Sequence, residues 1–313
     1  MTQAEEELLA ELRPAAFAIA YRMLGSVAEA EDVVQEALLR THAAIEGGER
    51  IDSPRAYVGT VTTRLAIDEL RSARARRERY VGDWLPEPLV ADPESGPAER
   101  AEMADSLSVA FLVLLESLSP EQRAALLLHD VFDYGYGEVA EIVGTSEANA
   151  RQLASRARRH VGERRPRFTS SEAEREELAR RFFAAVREGE VGELEALLAD
   201  DVVLRGDGGG KVPALARAIS GRTRVARTLG AWSRLGMRKF DAGIRQASVN
   251  GGPGAIIVDG EGATIGVFSL EISGGQIRGI SSVVNPDKLG HLGPLADYAG
   301  LMRQAGLMRR PSA

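Results

Sequence analysis

Asn149, Gln152, Arg156 and Arg159 are spaced three, four and three residues apart. On a helix they share one face, with Arg151, Ser155 and Arg158 along its margins. Amide and guanidinium groups can bond base edges in a DNA major groove, and arginines also meet phosphate. A second set is basic throughout: Arg71, Arg74, Arg76, Arg77 and Arg79, opposed only by Glu78. Arginines suit a helix C-terminus through its dipole, but this density exceeds that need and favours phosphate contact. A third set is acidic. Glu29, Asp32, Gln35, Glu36 and Leu39 lie opposite Ala30, Val33, Val34, Ala37, Leu38 and Thr41. That outward face is either plainly solvated or a docking face for a basic or mixed helical partner.

These side chains need elements to hold them. Ser119-Pro120 is a cap residue followed by a first-turn proline. A short helix then carries Val139, Ala140, Ile142 and Val143; Gly144 ends it, and Thr145 or Ser146 can cap the next. There Ala150, Leu153, Ala154, Ala157 and Val161 recur as one buried stripe. Short helix, glycine turn and amide-plus-arginine helix make residues 119–162 a helix-turn-helix that reads DNA. The plainer account is a solvated, arginine-rich surface helix. Upstream, residues 14–42 are predicted as two helices, the second opened by the capping box Ser26-Val27-Ala28-Glu29. Gly47 and Gly48 open a loop, 44–52, and Ser53-Pro54 begins a helix of about 54–79.

The whole chain, 313 residues with a net charge of -7, suggests two or three domains. Cysteine is absent, which removes disulfides, thiolate zinc sites and cysteine nucleophiles, and the four histidines show no ligand spacing. The acidic start has no apolar signal core, and the longest apolar run, near 109–115, is too short to cross a bilayer. A cytoplasmic protein without a membrane partner is expected.

Three blocks now carry a resemblance: AEAEDVVQEALLR (28–40), SPRAYVGTVTTRLAIDELRSARARR (53–77) and LSPEQRAALLLHDVFDYGYGEVAEIVGTSEANARQLASRARR (118–159). In that order, residues 14–165 resemble a group 4, or extracytoplasmic-function, sigma factor of bacterial RNA polymerase. The resemblance implies that region 2 (1–80) binds the clamp helices of core polymerase through Asp32, Gln35, Glu36 and Leu39. It implies that loop 44–52 and the helix from Arg55 to Arg79, with Arg64, Arg71, Arg74, Arg76 and Arg77, open and read the −10 element. It implies that region 4 (106–165) reads the −35 element as duplex through Asn149, Arg151, Gln152, Ser155, Arg156 and Arg159.

Between them runs a linker, 81–105, that Pro86, Pro88, Pro93 and Pro97 keep extended. Trp84 in such a segment is expected to be a buried anchor, since a large ring gains by burial. WLPEP (84–88), DGGGK (207–211) and NPDKL (285–289) resemble the signatures of one sigma subgroup, which carries a fused SnoaL-like, NTF2-like C-terminal domain. Helices at 172–189 and 193–198, then strand signals at 201–206, 239–249, 254–259, 263–272 and 276–284 with a helix near 221–235, fit such an α+β cone over 172–290. A tail, 291–313, follows. The expected fold class is therefore multidomain: two all-α domains and an α+β cone. Trp84, Pro86, Asp207, Lys211, Asn285, Pro286, Asp287 and Lys288 are the expected regulatory contacts. Pro286 either terminates a strand or presents Asp287 and Lys288 to the helical domains.

Two other readings compete. A cone-fold isomerase or cyclase needs a carboxylate base and usually a Tyr or His donor; residues 172–288 contain neither Tyr nor His, leaving Asp207, Asp241 and Asp259. A ligand-sensing helix-turn-helix regulator leaves the basic and acidic helices without work. The expected partners are core polymerase and promoter DNA, with no separate anti-sigma protein required and a small ligand in the cone left open. No catalytic residue, metal, nucleotide or redox cofactor is implied.

Overall fold

The computed structural model describes residues 3–77, 80–91, 107–162, 171–304 and 306. They form two compact units. The first holds 3–77 and 112–162, and the second holds 80–91, 107–111 and the residues from 171 onward. The expected linker stretch 92–105 and the stretch 163–170 lie outside the described residues.

The first unit is helical: α1 (Gln3–Leu24), α2 (Val27–Glu46), α3 (Pro54–Arg77), α4 (Val109–Leu115, which straddles the division), α5 (Pro120–Asp130), α6 (Tyr136–Val143) and α7 (Glu147–Gly162). Helix α1 begins well before the predicted residue 14 and runs through Pro14. Helix α2 starts where its box predicts, with the Glu29 amide donating to Ser26 Oγ at 3.2 Å, and buries Ala30, Val33, Val34, Ala37 and Thr41. It ends at Gly47, so the predicted loop loses 44–46 to helix. Ser119 caps α5 in a full capping box with Gln122. Sequence reading separates the two sigma regions into domains; here they share one compact unit. Buried Arg123 on α5 donates to Met23 O of α1 at 2.5 Å and Leu115 O at 2.6 Å, and meets Glu116 at 2.9 Å. At Gly59 of α3 an added Cβ would stand 2.3 Å from the Tyr134 hydroxyl, so only glycine allows that approach.

The second unit opens its main body with α8 (Glu172–Glu188), capped by Ser171 and closed by Gly189 at φ 72. Then come α9 (Val191–Leu197), β1 (Leu198–Asp207), β2 (Ile219–Ser220), α10 (Arg222–Lys239), β3 (Gly243–Val249), β4 (Gly252–Val258), β5 (Thr264–Ser273), β6 (Gln276–Val283), two 3-10 turns (Pro286–Lys288 and Gly290–Leu292) and α11 (Tyr298–Gln304). One mixed sheet runs in the order β2-β1-β6-β5-β4-β3. Among these strands only the β1–β6 pair is parallel, in register from Val203 opposite Gly279 to Asp207 opposite Val283. That pairing sets the ends of β1 and β6 side by side, which matters below. Phe182, Phe183, Leu194, Leu204, Leu229, Ile272 and Ile280 lie in the core between helices and sheet. This is the expected fold class, an all-α part followed by an α+β domain. Strand β2 and helix α11 go beyond the elements that the sequence predicts.

On β5, burial holds the Glu271 carboxyl above its usual range, against the pull of Arg205 and Arg278. A carboxyl raised on folding contributes fully below its unfolded value and less as pH climbs through the folded one. Glu271→Gln is therefore expected to melt above wild type at pH 8, with the gain narrowing toward pH 4. A thermal melt series across that range checks it.

Candidate functional site

The helix-turn-helix is built as its sequence suggests. Gly144 closes α6 in the left-handed region at φ 75, and Ser146 Oγ accepts from the Asn149 amide at 3.3 Å. Ala125, Leu128, Val139, Ala140, Ile142, Ala150 and Ala154 pack into one core. Asn149, Arg151, Gln152, Ser155, Arg156 and Arg159 are all exposed on α7, so one helix presents the whole candidate reading set. Asn149 Nδ2 donates to Thr145 Oγ1 at 2.7 Å, and Arg151 pairs with Glu147. Arg158 differs from its neighbours. It grips both oxygens of Asp130, at 2.7 and 2.5 Å, and the Tyr136 hydroxyl at 2.8 Å, while Tyr136 stacks on His129 at 3.9 Å. The bond to Asp130 raises its pKa further above its ordinary value. Arg158 thus fastens α7 to α5 and α6, a structural tie on the margin of the reading face.

Asp32, Gln35, Glu36 and Leu39 are exposed on α2, with Leu39 at 57%. Glu36 holds Arg40 at 2.7 Å, an exposed pair worth little to stability. On α3 the arginines split. Arg64 donates to Glu141 O at 2.9 Å and Ile142 O at 3.2 Å, the last turn of α6. Arg71 bonds Glu121 of α5 at 2.8 Å and Asp68 at 3.2 Å, and the Glu121 bond raises its pKa. Two arginines expected to meet the −10 strand are thereby occupied by the helix-turn-helix in this conformation. The side chains of Arg74, Arg76 and Arg77 lie outside the described residues.

The three signature segments meet in the second unit. Asp207, at the end of β1, is fully buried. Its Oδ1 accepts from the Tyr80 hydroxyl at 2.5 Å and the Gly209 amide at 3.0 Å; its Oδ2 accepts from the Leu85 amide at 2.9 Å and Lys288 Nζ at 2.8 Å. Lys288, also buried, further donates to Leu85 O and stands 4.2 Å from the Trp84 ring and 4.9 Å from that of Tyr80. Asn285 Nδ2 donates to the Tyr80 hydroxyl at 2.9 Å. Lys211 and Asp287 form an exposed pair at 2.5 Å. Farther along, Pro86 and Pro88 are buried and His291 Nε2 meets Pro88 O at 2.8 Å. Leu89 O accepts from the Asn250 amide at 2.7 Å, and Val90 bridges Val249 antiparallel. Burial and the bond to Asp207 push the Tyr80 phenol well above its usual pKa.

Three expectations change here. Trp84, expected as the buried anchor, is half-buried, and Leu85 is the residue with no exposure. The Trp84 ring lies against the Lys288 ammonium, a cation–π geometry that a partly exposed ring can keep. Lys288, a candidate to face the helical domains, turns inward, because a buried carboxylate is the strongest partner within reach. Tyr80, which sequence reading passed over, supplies a central hydroxyl; an aromatic directly after a run of arginines was the available signal. The glycines of DGGGK are required. Gly209 sits at φ 61, and a Cβ there would stand 2.3 Å from Asn285 Nδ2. Gly209→Ala is expected to separate the 207–211 turn from Asn285 and to expose the linker, which limited proteolysis between 80 and 91 would report.

Of the carboxylates weighed for catalysis, Asp207 is committed to this clasp. Asp259 Oδ1 accepts from the Glu261 and Ala263 amides at 3.0 and 2.9 Å within a turn, and Asp241 is exposed at φ 47.

Residues 8–76 match the family model of sigma-70 region 2, and residues 108–161 that of sigma-70 region 4. Over 287 residues the chain is 41% identical to the ECF RNA polymerase sigma factor SigJ of Mycobacterium tuberculosis, covering 88% of this chain and 90% of that one. It is 32% identical to the probable ECF RNA polymerase sigma factor SigI of the same species over 280 residues, 87% of this chain and 90% of the relative. The crystal structure of SigJ matches with a TM-score of 0.72 and 35% identity, across 93% of this chain and 99% of that structure.

Proposed function

The chain belongs to the extracytoplasmic-function sigma factors of RNA polymerase, and from that membership we propose that its α+β domain governs its own activity by clasping the linker between the two sigma regions. A sigma factor directs core polymerase to promoter DNA for transcription initiation. In this reading Asp32, Gln35, Glu36 and Leu39 meet core polymerase, α3 serves the −10 element, and α7 reads the −35 element.

The observation that carries the proposal is the buried Asp207 carboxylate, whose donors come from the end of region 2 (Tyr80), the linker (Leu85) and the 285–289 segment (Lys288) at once. Residues 80–91 are thereby held on the α+β domain. Fully extended they would add roughly 40 Å of reach between the sigma regions. Within the helical unit, Arg64 and Arg71 are tied to α5 and α6. Promoter engagement must free both arginines and let the regions part, which the held linker opposes. A tethered domain works at millimolar-scale effective concentration, so no separate anti-sigma protein is needed.

The test is promoter-driven transcription in vitro with the full chain, a chain ended after Leu289, and a chain ended before Ser171. The Leu289 truncation removes the His291–Pro88 bond and α11, and higher initiation is expected. Equal activity from all three proteins would refute governance by this domain. A separate outcome concerns the polymerase face. Asp32→Arg with Glu36→Arg is expected to lower core-polymerase affinity at least tenfold in a pull-down while the helical content by circular dichroism stays unchanged.

A further inference from the structure

The α+β domain holds a half-open cavity of about 460 Å³ between α10 and the sheet. Trp232, Phe240, Ile257, Ile265, Phe268 and Met302 supply much of its wall. No Asp, Glu, Lys or His is among its described lining residues, and Arg187 is the one charged residue there. Helix α11 forms part of its wall. Tyr298 and Met302 line the space and also pack with Phe240, Ala242 and Ile265, with the Tyr298 ring edge-on to Phe240 at 6.2 Å. The Tyr298 phenol has no hydrogen-bond partner among the described residues, and burial raises its pKa above its ordinary value.

We propose that this cavity binds a neutral, largely apolar small molecule bearing one hydrogen-bond acceptor, which the Tyr298 hydroxyl engages beneath α11. The inference goes beyond the regulatory reading and stands without it. A well-packed interior leaves few voids larger than a water molecule. A space of this size with an apolar wall suits an organic occupant of about 20 non-hydrogen atoms. An anion would lose much of its hydration there with one arginine in return, and a cation would meet no carboxylate among the described lining residues. Those residues offer no side-chain base, so the occupant is held and not transformed. Gly206 and Val284 line the same cavity, and their chain neighbours Asp207 and Asn285 build the clasp, so an occupant would press on the residues adjoining it.

The probe is prodan, a neutral naphthalene ketone, titrated into the full chain and followed by its blue-shifted emission. Saturable one-to-one binding with a Kd on the order of 10 µM is expected. The similarly sized anion anilinonaphthalene sulfonate should bind at least tenfold more weakly. Trp232→Phe should reduce the energy transfer from protein to bound probe. Ile257→Trp and Met302→Trp, each filling the space, should weaken prodan at least tenfold, with circular dichroism confirming fold. No saturable prodan binding to the wild-type chain overturns the proposal. So does undiminished binding to both filled variants, or undiminished energy transfer in Trp232→Phe. Equal affinity for the anion overturns the assignment of a neutral occupant.

Discussion

Asp207→Asn is expected to raise transcription initiation by the full chain severalfold and to destabilise the α+β domain by about 3–5 kcal/mol, the usual effect of removing one partner from a buried ion pair. The side chain keeps its shape but loses its charge, so Lys288 stays buried with the Leu85 carbonyl and aromatic rings as partners. The introduced amide also puts a donor where two oxygens now accept four bonds, so either the Tyr80 hydroxyl and Gly209 amide or the Leu85 amide and Lys288 ammonium lose their acceptor. Adding Lys288→Gln should recover part of the stability, since the stranded charge is then gone. Denaturant melts of the two single variants and the double give the coupling, and initiation assays on the same proteins give the activity. If the melts shift as expected while initiation does not change, the clasp is structural only and the regulatory proposal fails.

The second large effect is expected at the −35 reader. Arg156 is exposed on α7 beside Gln152 and one turn from Arg159, and its guanidinium has no tie among the described residues comparable to that of Arg158. If it meets a guanine edge, Arg156→Ala should lose about 1–3 kcal/mol, roughly 5- to 150-fold in promoter affinity, and relax selection at one base pair. Contact with phosphate alone would instead give a uniform loss across sequences and a salt slope smaller by about one. Competition binding against a panel of −35 sequences at two salt concentrations separates the two. No change in affinity or selectivity removes α7 from the reading role. Arg158→Ala is the control. It should lower thermal stability by detaching α7 from Asp130 and Tyr136, with base selection retained at temperatures where the fold holds.

The same distinction between near and distant partners explains what sequence reading misplaced. Trp84 outranks Leu85 as an anchor by size, yet burial depends on which side chain the surrounding surface can enclose, and here that is Leu85. Arg64 and Arg71, expected at the −10 element, bond in this conformation to carbonyl and carboxylate acceptors 77 and 50 positions away, which no local pattern marks. Tyr298 and Met302 sit in what reads as a short tail, and they become cavity wall only when α11 folds over Phe240 and Ile265.

The sequence by itself determined what short-range physics controls. Ser26, Ser119 and Ser171 begin helices because a side-chain oxygen satisfies an amide three residues on. The stripe from Ala150 to Val161 fixes which face of α7 is buried and therefore which side chains remain for DNA. The sigma resemblance and the α+β class rest on such local patterns in a given order. The tertiary structure alone decided which distant groups share a site. Asp207 meets Lys288 across 81 positions of chain, and the Tyr80 hydroxyl across 127. Nothing within one element's reach marks either partner. DGGGK, NPDKL and WLPEP were legible as signatures, but the contact of the first two follows from the parallel β1–β6 pair, which brings Asp207 beside Val283, and WLPEP joins them through Leu85. Hydrogen bonds and side-chain periodicity within a helix or strand act over a few residues, and so sequence spacing encodes them. A buried charge pair or a cavity exists only where the folded chain excludes water from several distant segments at once.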